Sequence, residues 1–230
     1  MALQVTILAA GMGTRLGRPF PKPLTQLRDG RSILQQQLDN VHEAFGADVR
    51  VQIVVGFKLD LIMEAAPSAV FVYNENYDQT NTNKSLLKAL RASHDGPVLW
   101  MNGDVVFDSA ILERLKPYID AGQTVISVNT AAVSDEEVKY TVDADGMVKE
   151  LSKTVVGGLG ESVGINVISA TDKAALIKRL DECAEQDYFE RGIELAIEHE
   201  GLKVIPVDIS DLFAVEIDFE ADLERANERP

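Results

Sequence analysis

This 230-residue chain has only one cysteine, one tryptophan and three histidines. Alone, Cys183 can close no disulfide within the chain and build no thiolate metal cluster, which fits a reducing compartment and a small buried side chain. His42, His94 and His199 are widely spaced, and nothing around them in the sequence gives them a role. Long apolar runs are missing as well. No stretch approaches ~18 consecutive apolar residues, and the apolar opening at residues 5–10 has no basic leader. The expected compartment is the cytoplasm, with no membrane partner. Basic charge is scarce, with 22 Lys and Arg against 37 Asp and Glu for a formal charge of -15. That balance repels nucleic acid and anionic lipid, so neither is an expected partner.

The few basic residues are concentrated. Arg15, Arg18, Lys22, Arg28 and Arg31 fall between residues 14 and 31, where Asp29 is the only acid. In an acidic chain, such a local reversal is what a site for an anionic small molecule needs. Length and a 46% apolar content allow one good core with a small appended lobe. We read one domain over residues 1–230.

The pattern is that of an α/β fold. Short β-rich runs at residues 5–10, 49–55, 70–73, 98–101 and 124–128 alternate with helix-period segments at 34–45, 59–66, 84–92 and 109–121. This predicts a Rossmann-like, mixed but mainly parallel sheet with helices on both faces. Ser32 followed by Gln35 predicts a capped helix start that Gly46 stops. Past residue 129 the rhythm changes. Alternation about Asp145-Gly146 predicts a hairpin, residues 153–161 read as a loop, and 164–168, 204–207 and 214–217 return to strand between helices at 172–185 and 189–198, with a last helix from 220.

Chemistry is concentrated first in Leu8-Ala9-Ala10-Gly11-Met12-Gly13-Thr14-Arg15, followed by Pro21-Lys22-Pro23-Leu24. Small residues at a strand end let a base or ribose lie against the backbone. Gly11 and Gly13 let backbone N–H groups approach phosphate oxygens. Flanking prolines stiffen the presentation of Lys22. A dinucleotide-binding turn would need glycine where Leu16 stands and an acid after the second strand, where Gly56-Phe57 stands. A P-loop would need a Gly-Lys-Ser/Thr triplet, which does not occur. Asp104 follows an apolar strand, at the end where ligands bind in parallel sheets, and Asp108 suits a helix cap near Ser109. Asp218 also follows a strand-like run, although Asp-Phe-Glu equally suits the opening of the last helix. Lys84 is expected to face solvent.

At these residues the chain resembles the nucleotidyltransferase superfamily that includes sugar-1-phosphate nucleotidyltransferases and bacterial phosphocholine cytidylyltransferases. The resemblance runs on through Asn74-Glu-Asn-Tyr77, Asn81-Thr-Asn-Lys-Ser-Leu86, Gly103-Asp104 and Glu216-Ile-Asp218. It implies Mg²⁺-dependent transfer of a nucleoside monophosphate, with CMP from CTP favoured, to a small phosphomonoester or phosphonate, releasing pyrophosphate. Sugar-phosphate or polyol-phosphate acceptors are the alternative. A nucleotide-sugar glycosyltransferase or a non-catalytic nucleotide sensor are rivals of another class. Residues 1–129 would then be the nucleotide-binding core, and 130–230 an acceptor-side lobe with closing strands and helices. The resemblance assigns Arg15 and Lys22 to catalysis, and Leu8, Ala9, Ala10, Gly11, Gly13, Thr14, Asn81 and Thr82 to the nucleotide. It assigns Asp104 and Asp218 to Mg²⁺, each after a strand of the same sheet. Tyr188 and Glu190 fall to the acceptor, with Val138 where choline-specific members tend to carry Trp.

Overall fold

The computed structural model describes residues 2–131, 133 and 137–228. Among them, the elements run β1 Gln4–Ala9, α1 Ile33–Phe45, β2 Arg50–Val55, α2 Leu59–Ala65, β3 Val70–Tyr73, α3 Thr82–Arg91, β4 Val98–Asn102, β5 Val105–Phe107, α4 Ala110–Asp120 and β6 Thr124–Asn129. They continue as β7 Lys139–Val142, β8 Val148–Ser152, β9 Glu161–Ile168, α5 Lys173–Glu182, α6 Phe189–Glu200, β10 Val204–Asp208, β11 Ala214–Glu216 and α7 Glu220–Asn227. Short 3₁₀ turns at Thr14–Leu16 and Lys22–Leu24 lie between β1 and α1.

The main sheet has the order β10-β6-β9-β4-β1-β2-β3. β1 pairs in parallel with β2 and β4, β2 with β3, and β10 with β6. All six residues of β1 are buried, as a central parallel strand covered on both faces requires. Alternation then sorts its side chains. Val5, Ile7 and Ala9 join the layer that Leu34, Leu38 and Val41 of α1 and Ile111, Leu112 and Leu115 of α4 complete. Leu8 and Ala10 join the opposite layer, with Leu86 of α3, Leu176 of α5 and Ile193 of α6. The α/β class and the two helical faces agree with the sequence.

Two strand placements go beyond what the sequence pattern specified. β9 runs antiparallel between β4 and β6, so the fourth and fifth expected strands are not neighbours. The three-residue β5, unforeseen, pairs antiparallel with β11 in a separate two-stranded sheet. Asp218 therefore follows a strand of that small sheet and not of the main one. The hairpin β7–β8 forms as expected. Gly146 takes φ 77° in the turn, and the Asp143 carboxylate accepts from the Asp145 and Met147 N–H groups at 2.9 Å each.

Two polar side chains also depart from expectation. The Asp108 carboxylate accepts from Phe213 N–H at 3.0 Å, tying the β5–α4 junction to the chain before β11, while Ser109 stands at the N-cap of α4. Lys84 is buried. Its ammonium donates to the carbonyls of Leu180, Asp181 and Cys183 at 3.2, 3.2 and 2.7 Å. These are carbonyls at the C-terminal end of α5, where a helix lacks internal donors and favours a cation. Lys84 thus joins the start of α3 to the end of α5. Lys84→Met should lower unfolding free energy by about 1–3 kcal/mol, because it leaves buried carbonyls without a donor. Urea unfolding measures this, and a change below about 0.5 kcal/mol would be that of a surface lysine.

Candidate active site

A cleft opens where β1 and β4 end, lined by Leu8, Ala9, Gly11, Gly13, Asn102, Gly103 and Asp104 on one side and by Thr82, Tyr188, Phe189 and Glu190 on the other. The strand ends approach closely because Gly103 has no side chain. A Cβ there would lie 2.7 Å from the Leu8 carbonyl oxygen, to which Gly103 N–H donates at 2.9 Å. Gly11 has nothing within 4 Å of where its Cβ would be, so its backbone is open to a ligand. Gly13 is constrained differently. It takes φ 59°, and a Cβ would come within 3.0 Å of the Lys22 Cβ. Its glycine thus admits Lys22 as well as any phosphate.

Lys22 is buried at the floor of the cleft. Its Nζ donates to Asp104 Oδ2 at 2.8 Å and to Asp218 Oδ1 at 2.6 Å, bonds that join residues from the N-terminal loop, the β4–β5 turn and the end of the chain. Burial alone would lower the Lys22 pKa, but the Asp104 and Asp218 charges outweigh it and the pKa is raised. Burial likewise opposes ionisation of Asp218, yet bonds from Lys22 and Arg15 hold its pKa below the ordinary value. Arg15 Nη1 reaches Asp218 Oδ2 at 2.6 Å from a side chain that is 53% exposed.

A third carboxylate completes the group. Glu216 lies two residues before Asp218, and one ligand oxygen from each of Asp104, Glu216 and Asp218 falls within 4.8 Å of the others. The Asp104 charge, then burial, push the Glu216 carboxyl well above its usual pKa. Asp104 Oδ1 is buried with no hydrogen-bond partner among the described residues. An unpartnered oxygen amid clustered carboxylates is a donor set suited to a hard divalent cation. Glu216 was quoted in the sequence motif without a role. The signal that identifies it is the i,i+2 spacing of Glu216-Ile217-Asp218, which puts both acids on one face of extended chain.

Gln37 was missed altogether. Fully buried on α1, its amide donates to the carbonyls of Asn102 at 2.9 Å and Val105 at 2.8 Å, bracketing Gly103-Asp104. Gln36 and Asn40 donate to Phe107 O at 2.6 and 2.8 Å. The turn that presents Asp104 is thereby clamped from α1. In sequence, these amides on a helix look like surface positions.

Not every expected residue lies in the cleft. Leu8, Ala9, Gly11, Gly13, Lys22, Thr82, Asp104, Tyr188 and Glu190 line it. Asp218 lines an adjoining cavity shared with Glu137, Glu161 and Glu216. Ala10 is buried, its carbonyl taken by Phe57 N–H at 3.0 Å. Thr14 is exposed in its 3₁₀ turn. Asn81 is the N-cap of α3, accepting from Thr82 N–H at 2.8 Å and donating to the Gln186 carbonyl at 3.3 Å. Its side chain is committed to structure. Thr82 Oγ1 accepts from Phe189 N–H at 3.2 Å, which fixes the start of α6 against α3.

At the other end of the cleft, Glu190 sits in the first turn of α6, and burial raises its pKa to about 7. Its ordinary value is 4.5, so the ionised form is penalised in the folded chain. The penalty is absent below pH ~4.5, grows as pH rises, and is complete above ~7. Unfolding measured at pH 5 and pH 8 tests this. The stability of Glu190→Gln relative to the native chain should rise by on the order of 1–3 kcal/mol between the two pH values. A pH-independent difference would mean that Glu190 ionises freely.

The description MobA-like NTP transferase domain matches residues 5–187. The CMP-5'-(3-aminopropyl)phosphonate synthase of Streptomyces rubellomurinus is 29% identical over 248 aligned positions, covering 99% of this chain and 38% of that protein. The chain thus spans well under half the length of that relative. Among solved structures, the CTP:phosphocholine cytidylyltransferase of Streptococcus pneumoniae superposes with TM-score 0.77 at 18% identity, over 99% of both chains. The inositol-1-phosphate CTP transferase of T. maritima gives TM-score 0.77 at 16% identity, over 98% of this chain and 96% of that one. At such identities the likeness to the two structures is one of fold.

Proposed function

The chain belongs to the family of the MobA-like NTP transferase domain, and we propose that it transfers CMP from CTP to a small phosphonate or phosphomonoester with Mg²⁺, releasing pyrophosphate. The observation that carries the reading is Lys22 held between Asp104 and Asp218 beneath the Gly11 and Gly13 loop. Two of the three ammonium hydrogens go to carboxylates, leaving one to donate into the cleft that Lys22 lines. An oxygen of the acceptor's phosphonate or phosphate attacks the α-phosphorus. A new P–O bond forms as the bond to the β-phosphate bridging oxygen breaks, and pyrophosphate leaves.

The chain's own contribution is placement and charge. Gly11 leaves backbone accessible to phosphate oxygens, and Leu8, Ala9 and Thr82 wall the nucleotide side. Lys22 and, from the cleft's outer side, Arg15 offset charge on the leaving pyrophosphate. Asp104 and Asp218, with Glu216, would hold Mg²⁺, whose chemistry is to neutralise phosphate charge. Tyr188 and Glu190 face the acceptor. Asn81 supports this arrangement by capping, with its side chain, the helix that carries Thr82, and Ala10 and Thr14 flank the Gly11–Gly13 turn. The preference for CTP is supported by relatives whose names specify CMP or CTP.

A pyrophosphate-release assay over four NTPs and a panel of phosphonates and phosphomonoesters tests the reading. CTP should give the highest kcat/KM. Lys22→Ala should lower kcat with CTP by about 10²–10³, the loss expected for one preorganised charge at a developing anion. A preference for ATP or GTP would refute the assignment of the base. A loss below tenfold would remove Lys22 from the reaction.

A further inference from the structure

The end of the cleft at α6 holds two carboxyl groups that the reaction centre does not use. Glu190 is buried, and its Oε2 has no hydrogen-bond partner among the described residues. Glu137 stands in the same lining, with its own pKa raised by burial and then by the Glu161 charge. Of the two lysines in this lining, Lys22 is bonded to Asp104 and Asp218, and Lys153 has its Nζ 4.9 Å from the centre of the Tyr188 ring. Lys153 is near enough to favour ionisation of both acids, yet among the described residues no ion pair or hydrogen bond joins it to either.

We propose that this end of the cleft is a subsite for an amine bearing N–H groups, in which Glu190 receives the acceptor's ammonium and Lys153 is the resident cation that the ammonium replaces. The proposal rests on the nucleotidyl-transfer reading above and names the class of acceptor for it. A buried carboxylate oxygen without a donor is costly, and a ligand N–H removes that cost. A quaternary ammonium has no hydrogen to give, so it would leave Oε2 unpaired. Quaternary ions are held by aromatic faces instead. Here that surface is in short supply. The Tyr188 face is occupied by Lys153, Val138 is aliphatic, and Phe189 is in edge-to-face contact with Trp100 at 5.6 Å. Lys153 itself can leave. It is a flexible side chain at the head of a loop, residues 153–160, that contains Gly157, Gly158 and Gly160.

The test compares 2-aminoethyl- and 3-aminopropylphosphonate, their N-trimethyl derivatives and propylphosphonate as acceptors, with CTP and Mg²⁺. The better amine should exceed both propylphosphonate and its own trimethyl form at least tenfold in kcat/KM. Lys153→Met should raise the preference for amine over propylphosphonate severalfold, and Glu190→Gln should reduce it to within threefold. The proposal is overturned if the native chain prefers the amine by less than threefold, or uses the trimethyl form equally well. It is also overturned if Lys153→Met lowers all acceptors by one common factor, the mark of a phosphonate contact. If no acceptor releases pyrophosphate, the nucleotidyl-transfer reading fails, and calorimetry on the protein alone decides the subsite. Tighter binding of 3-aminopropylphosphonate than of propylphosphonate, lost in Glu190→Gln, upholds the subsite, and equal affinities reject it.

Discussion

Three carboxylates, from Asp104, Glu216 and Asp218, converge, and the charges of Asp104 and Asp218 disfavour ionisation of Glu216. Such a convergence is stable only with positive charge inside it, because unpaired buried charges are strongly destabilising. Lys22 supplies that charge from the loop after β1, and Arg15 adds to it at the rim. The rest of the site depends on this balance. Gly13 is shaped to admit the lysine, the 3₁₀ turn Lys22–Leu24 buries its backbone start, and the small β5–β11 sheet carries the C-terminal acids back to the β4 end.

This charge balance also explains why the site draws on distant parts of the chain. β4 and β5 are separated only by Gly103 and Asp104, so the turn between them is tight, and its direction is set by the amides of α1. Ile217 N–H donates to the Asp104 carbonyl at 2.9 Å, locking the backbone of the two acidic segments together before any side chain is considered. The opposite wall is built independently, by α3 and α6 meeting at Thr82 and Phe189. In the proposed reaction, a rigid floor and a separately anchored opposite wall would position two phosphorylated reactants.

The strands, the helices on both faces and the basic glycine loop were legible because they rest on local signals: apolar periodicity, caps and residue types with special backbone freedom. Lys22, Asp104 and Asp218 were legible as a group because each stands next to such a signal. What was hidden is long-range. β5 is three residues long and acquires meaning only through β11, more than a hundred residues later, and β9 enters the sheet against the direction that alternation suggests. Lys84 reads as a surface lysine until α5 packs against it. Gln37 reads as a polar helix position until its turn partners are known.

The account's central claim is that Asp104 and Asp218 act as one unit in Mg²⁺-dependent nucleotidyl transfer. The most direct test is the Mg²⁺ dependence of pyrophosphate release for Asp104→Asn, Asp218→Asn and the double variant. Each single change should raise the Mg²⁺ needed for half-maximal rate and depress kcat, and the double change should cost far less than the product of the two, since residues serving one function are not additive. Multiplicative losses, or an unchanged Mg²⁺ requirement in Asp218→Asn, would contradict it.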